Sequence, residues 1–179
     1  VQGDQYAALY SETVTVQLEN DFLPFLYPNQ YVNFTPDSKA SQLALSMIDE
    51  DTVDVDALQQ IYNYVVSNLT YDYEKADTVT TGYLPDIDET LKTGTGICFD
   101  YAALTTAMLR SCDIPCKLQI GYAGDIKHAW IDVYIRSKGW VNQAVSFKGD
   151  TWTLMDPTFD SNSDDKEAIQ DYIGDESNY

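Results

Sequence analysis

Apolar positions along this chain change period near residue 115, from helical spacing to strict alternation, and that change predicts the architecture. Leu58, Ile61, Tyr62, Val65, Val66 and Leu69 recur at helical spacing, so one face of this segment is core, with Asp54 or Asp56 placed to cap it. Upstream, Ala40, Leu43, Ala44, Met47 and Ile48 follow the same period after the start signal Pro36-Asp37-Ser38, which predicts a short helix over 38–48. A third helix follows Gly94-Thr95-Gly96. Its Ala-rich run, 102–110, ends before Asp113-Ile114-Pro115 and leaves Cys98 at the helix N-terminus. Beyond Pro115, residues 117–123, 128–135, 140–145 and 151–156 alternate and read as four successive strands joined by Gly-containing turns. Helices first and an antiparallel sheet second is the α+β pattern.

The remaining segments break both periods. Thr13 to Leu18 alternate, but Pro24, Pro28 and Pro36 surround them, so residues 1–36 are expected to form an irregular N-terminal wrap with an edge strand. Residues 74–90, with acids, Thr pairs, Gly82 and Pro85, read as a long surface loop bordering a site. Past Asp160 the chain is acidic and rich in Ser and Asn, with a short helix expected over 166–173. The organisation is thus a wrap (1–36), a core (37–160) and an acidic C-terminal segment (161–179).

Composition narrows the function. A chain of 179 residues with 44% hydrophobic content buries one core despite its formal net charge of -19. That charge repels phosphate backbones and anionic lipid head groups, which argues against nucleic-acid partners and against adsorption to membranes through a basic patch. No apolar stretch approaches the roughly 20 residues needed to span a bilayer, so no membrane insertion of the folded part is expected. The sequence opens on Val1 without an initiator Met, so we expect a signal peptide or lipoprotein leader to have been removed and the protein to be extracellular or at the cell surface. A cytoplasmic location stays open. Three cysteines, Cys98, Cys112 and Cys116, are too few for a disulfide framework, and their odd number leaves at least one thiol. The single histidine, His128, is too little for zinc sites built on two or three imidazoles, and the Cys112 to Cys116 spacing is not that of a zinc knuckle. We assign no metal and no cofactor.

The candidate chemistry is that of a thiol. A cysteine in the first turn of a helix feels the positive end of the helix dipole, which favours thiolate, although Asp100 in the same turn opposes it. Glycines before Cys98 let a substrate carbonyl approach, with its developing oxyanion near the Cys98 backbone N–H. Alternation in 128–135 puts Ala129, Ile131, Val133 and Ile135 on one face and His128 on the other, so the imidazole is not simple core filler. A strand that follows a Cys-bearing helix can bring imidazole to sulfur. Two acids compete to orient the ring. Asp132 shares the face of His128 but stands about 13 Å along the strand. Asp156 ends another strand just before Pro157, where a cross-strand carboxylate can turn towards the ring, and is preferred.

Gly96-Ile97-Cys98-Phe99-Asp100-Tyr101-Ala102, then Gly121-Tyr122, His128-Ala129-Trp130 and Trp152-Thr153-Leu154-Met155-Asp156-Pro157-Thr158, resembles the core of the transglutaminase-like superfamily. The stretch from Ile61 to Asp72, ending in Tyr71-Asp72, is similar to the helix and Tyr-Asp pair that precede the nucleophile in its bacterial members. The resemblance implies a papain-like α+β fold and thiol acyl transfer on amides, with Cys98, His128 and Asp156 as nucleophile, base and orienting acid. It also suggests Tyr71 as second oxyanion donor, with Tyr122 and Trp130 lining the acyl slot. The superfamily holds protein cross-linkers, cysteine proteases and peptide N-glycanases, so fold and triad do not select the reaction. Hydrolysis of a protein or peptide, cell-wall associated in one version, is preferred, because no dedicated amine-acceptor site is readable. A non-catalytic binding module on the same fold is the alternative, and an oxidisable sensor thiol a third class. Cys112 stands where a Gly often precedes Ile-Pro in the family. Cys112 and Cys116 either bridge across the Pro turn or pack as two thiols.

Overall fold

A computed structural model describes residues 10–49, 51–123, 126–148 and 151–154, with the backbone alone of 122–123, 126–128, 143, 146–148 and 151–154. In order, the chain forms a 3-10 turn at Leu23–Phe25, α1 (Lys39–Met47), α2 (Asp54–Asn68), β1 (Thr70–Tyr71), α3 (Tyr73–Thr78), α4 (Ile87–Thr93), β2 (Thr95–Gly96), α5 (Cys98–Ser111), and then β3 (Cys116–Ala123), β4 (Ile126–Ile135), β5 (Gly139–Lys148) and β6 (Thr151–Leu154). The last four make an antiparallel meander in the order β3-β4-β5-β6. This is the expected α+β arrangement. The expected helix over 166–173, the C-terminal segment 161–179 and the end of the fourth strand at 155–156 lie outside the described residues.

The centre of the fold is α5. Its positions from Asp100 to Arg110 are all buried, which is the signature of a helix enclosed on every side. Alanines at 102, 103 and 107 let neighbours approach: α1, α2 and α4 pack on it, and β3, β4 and β5 close another side. The sheet presents Ala129, Ile131, Val133 and Ile135 of β4 together with Ala144 and Val145 of β5 to this core, all essentially without exposure. That is the face predicted by the alternation. Of the residues expected on the buried face of α2, Leu58, Ile61, Val65 and Leu69 are buried, Tyr62 lies half-buried at the margin, and Val66 is half-buried outside the core.

Polar side chains fasten the layers. Arg110, buried near the C-terminal end of α5, donates from Nε (3.0 Å) and Nη2 (2.7 Å) to the Cys116 carbonyl and from Nη1 (2.7 Å) to the Tyr27 carbonyl. It thereby ties the N-terminal segment to the helix and to the start of β3. Phe22 and Phe25 of that segment stack against Tyr134 and Trp140 of the sheet at centroid separations of 4.4 and 5.1 Å, and Lys117 Nζ lies 3.8 Å from the Trp140 ring centre.

Three expectations need correction. The alternating piece from Thr13 to Leu18 joins neither described sheet: Val14, Val16 and Leu18 are exposed and the wrap is held instead by aromatic contacts further on. The loop expected over 74–90 contains most of α3 and the start of α4. Both are set by aspartate caps: Asp72 accepts the Lys75 N–H (2.8 Å) and Asp86 the Glu89 N–H (3.0 Å), and helices this short show no readable period. Neither Asp54 nor Asp56 caps α2, whose N-cap is Val53; Asp54 turns inward to accept the Arg136 N–H (2.9 Å).

Candidate active site around Cys98

Two short elements place Cys98. After α4 the chain reverses through Gly94 at φ 66°, a left-handed position that favours glycine, and the Gly94 N–H closes the helix on the Thr90 carbonyl (3.0 Å). It then runs beside β1 as a parallel pair, Thr70 opposite Thr95 and Tyr71 opposite Gly96. The Thr70 N–H bonds the Gly94 carbonyl (2.8 Å) and the Asp72 N–H the Gly96 carbonyl (2.9 Å). Ile97 is the N-cap and Cys98 the first residue of α5, with 9% of its surface exposed. As the first residue of α5, Cys98 sits at the positive end of the helix dipole.

Asp100 anchors this start. With no exposed surface, its carboxylate accepts the Ile97 N–H (2.8 Å), Lys75 Nζ of α3 (2.7 Å) and the Tyr83 hydroxyl. Lys75 also donates to the Tyr83 oxygen (2.7 Å), which closes a triangle. Burial works against the charge on Lys75, but its bonds to Asp100 and Tyr83 outweigh this and hold its pKa above the usual lysine value. Tyr83 is pushed up to about 12, first by burial and then by its bond to Asp100, so at neutral pH it is a hydroxyl donor. Gly96 leaves room for the carboxylate: a Cβ there would stand 2.8 Å from Asp100 Cβ and 3.1 Å from Oδ2.

The charge of Asp100, expected to oppose a thiolate, is therefore matched by an ammonium group that the sequence reading did not single out. Its one sequence signal was the position of Lys75 three residues after Asp72, within reach of a cap. Tyr83 had no such signal.

The expected site residues fall as follows. Tyr71 is half-buried, pairs by its backbone with Gly96, and meets the Tyr73 ring edge-on at 5.1 Å. It is thereby brought close to the segment that carries Cys98. His128 lies in β4 opposite Gly121, and Tyr122 in β3 opposite Lys127, both by backbone alone. Their side chains and the whole of Asp156 lie outside the described residues. Trp130 is half-buried and leans over Gly121, where a Cβ would stand 3.0 Å from its Cη2. Asp132, the acid not preferred for the triad, is buried and accepts the Gln119 amide at 2.5 Å.

Cys112 and Cys116 are not bridged. Burial, helped by Asp113, pushes the Cys112 thiol up to about 11. Burial pushes Cys116 up to about 12 against the opposing pull of Thr106, to which its S–H points at 3.5 Å. Both are packed thiols with little thiolate character near neutrality.

Three known proteins are similar to parts of this chain. A UPF0252 protein of Methanocaldococcus jannaschii is 36% identical over 62 residues, 32% of this chain and 18% of the relative. The crystal structure of a "putative cysteine protease" from Cytophaga hutchinsonii superposes with a TM-score of 0.56 at 25% identity, over 74% of this chain and 43% of that one. That of a "putative protease" from Parabacteroides distasonis has a TM-score of 0.48 at 18% identity, over 68% and 29%. The chain thus spans less than half the length of each. The model of the Transglutaminase-like superfamily matches residues 41–157, from α1 to just past β6. With a helix headed by cysteine enclosed between helices and an antiparallel sheet, and that match over more than half its length, the chain belongs to the transglutaminase-like superfamily and has its papain-like α+β core.

Proposed function

We propose that this protein is a cysteine acyl-transfer enzyme that hydrolyses peptide or Gln-type amides through a thioester. The observation that carries the reading is the placement of Cys98 as the first residue of α5, beside the Tyr71–Gly96 pairing, inside a superfamily match that also spans His128 and Asp156. In this reading His128 takes the Cys98 proton, and the thiolate attacks the amide carbonyl carbon. The Cys98 N–H, with Tyr71 as second donor, holds the oxyanion. The C–N bond breaks as His128 returns its proton to the departing amine or ammonia, leaving an acyl thioester. Water, deprotonated by the same imidazole, then attacks the thioester and releases the acid and the thiol, while Asp156 holds the ring throughout. Tyr122 and Trp130 line the acyl slot. The substrate class is protein or peptide.

Mass spectrometry after incubation with iodoacetamide, and separately with an acyl-donor amide plus a labelled primary amine, tests this. Acylation at Cys98 with free acid as product is expected, and it should vanish in Cys98→Ala while the fold persists. Asp156→Asn should keep a residual rate, because the ring loses its counter-charge but not its neighbours. Predominant transfer to the amine would make the enzyme a cross-linker instead. No acylation of Cys98 by any of a varied donor set would favour a binding module.

A further inference from the structure

The triangle of Lys75, Tyr83 and Asp100 does more than cap a helix. A carboxylate at the third residue of α5 secures the Ile97 N–H, and so fixes the backbone from which Cys98 departs, but it brings a buried negative charge into the turn that holds the sulfur. Capping and thiolate formation therefore make opposite demands on Asp100. A neutral cap would remove the conflict, yet the carboxylate is present, and the structure answers it with a cation.

Building on the nucleophile reading above, we propose that Lys75 and Tyr83 are positioning residues for the Cys98 thiolate. They act through Asp100, which both hold in place and whose charge Lys75 matches. Three observations support this. Lys75 and Tyr83 reach Asp100 from separate pieces of chain, α3 and the loop before α4, and each also bonds the other. Lys75 is registered to the nucleophile segment itself, because Asp72, which caps its helix, donates its own N–H to the Gly96 carbonyl. Gly96 supplies the clearance the carboxylate needs. The titratable groups around this cluster are Lys75 of α3, Tyr83 of the loop, Tyr71 of β1, and Tyr101 of α5, whose hydroxyl is held high chiefly by burial and further by Tyr71 and Asp100. His128 of β4 is the base the mechanism adds. Among them Lys75 is the cation bonded to Asp100.

The test is the pH midpoint of Cys98 alkylation, followed by mass spectrometry in folded protein. Lys75→Met should raise the midpoint by about one unit, since Asp100 is left unmatched. Asp100→Asn, with Lys75 retained, should lower it by a similar amount, and the double variant should return to about the wild-type value. Lys75→Arg should rescue. A merely structural role would change unfolding midpoints without this sign pattern. Equal-sign shifts in the two single variants, or shifts of both below about 0.3 unit, would overturn the proposal. If Asp100→Asn does not fold, Tyr83→Phe replaces it: a small upward shift is expected, and no shift in either Tyr83→Phe or Lys75→Met would overturn the proposal. The thiol titrates whether or not it turns over substrate. Opposite shifts without any acylation of wild-type Cys98 would therefore count for the charge pairing and against the catalytic reading.

Discussion

Replacing Gly96 with alanine should damage this protein far more than one added methyl group suggests. The new Cβ would lie 2.8 Å from Asp100 Cβ, 3.3 Å from Cγ and 3.1 Å from Oδ2. Asp100 Cβ is fixed to the helix backbone, and its carboxylate is committed to the Ile97 N–H, Lys75 and Tyr83, so the neighbour has nowhere to go. Overpacking at such a site costs about 1–3 kcal/mol, and weakening the bond to the Ile97 N–H adds about 1 kcal/mol. The expected loss is about 2–4 kcal/mol, which for a domain of this size corresponds to a fall in Tm of roughly 5–15 °C. Urea unfolding followed by far-UV circular dichroism, with the slope unchanged from wild type, measures it. Gly82→Ala is the control: its φ of +91° strains any side chain, but no atom stands within 4 Å, so only the backbone cost of about 1–2 kcal/mol applies. A Gly96→Ala loss below about 0.5 kcal/mol, within the range of ordinary surface changes, would refute the close-approach argument.

Asp88, on α4, accepts the N–H of Lys39 on one carboxylate oxygen and that of Ala40 on the other, at 3.1 Å each, and so caps α1 from another element; Asp88→Ala should cost about 1–2 kcal/mol in thermal unfolding, and Asp88→Asn, with one acceptor oxygen for two N–H groups, should restore no more than about half of it. Because Cys112 and Cys116 are pushed up to about 11 and 12 by burial, iodoacetamide near neutral pH should label Cys98 before either, and faster labelling of Cys112 in folded protein would contradict the burial argument. The same shifts have a sign for stability. The folded state keeps protons that the unfolded thiols release above about pH 8.5, so stability falls as pH rises from there through about 12, and Cys116→Ala should flatten that slope.

Long periodic segments were legible because burial alone decides them. Leu58, Ile61 and Val65 could face only inward, and the alternation from Ala129 to Ile135 matches the buried face of β4 residue for residue. Cys98 at a helix start was legible from Gly94, Gly96 and the Ala-rich run. What stayed hidden depends on contacts distant in sequence. The parallel pair of β1 and β2 is two residues long on each side, too short for any period, and Asp88 shows its role only when α1 is folded onto it. Lys75 read as one charge in an acidic loop, since nothing local says that it meets a buried carboxylate 25 positions away. Thr13 to Leu18 alternate without a described sheet to join, a case where pattern outran available partners.

The parallel pairing of β1 with β2 has a polymer consequence. It holds the two ends of the intervening chain side by side, through the Thr70 and Asp72 N–H groups, one residue short of the cysteine that heads α5. Everything between is a ring closed by its own base. The entropy of such a ring grows only logarithmically, so doubling its length costs about 0.6 kcal/mol, and an insertion at the exposed turn of Thr81 and Gly82 would leave the pitch and phase of α5 untouched. Sequence drift in the ring is thus decoupled from the geometry of the sulfur, provided the ring still delivers one cation and one hydroxyl to Asp100.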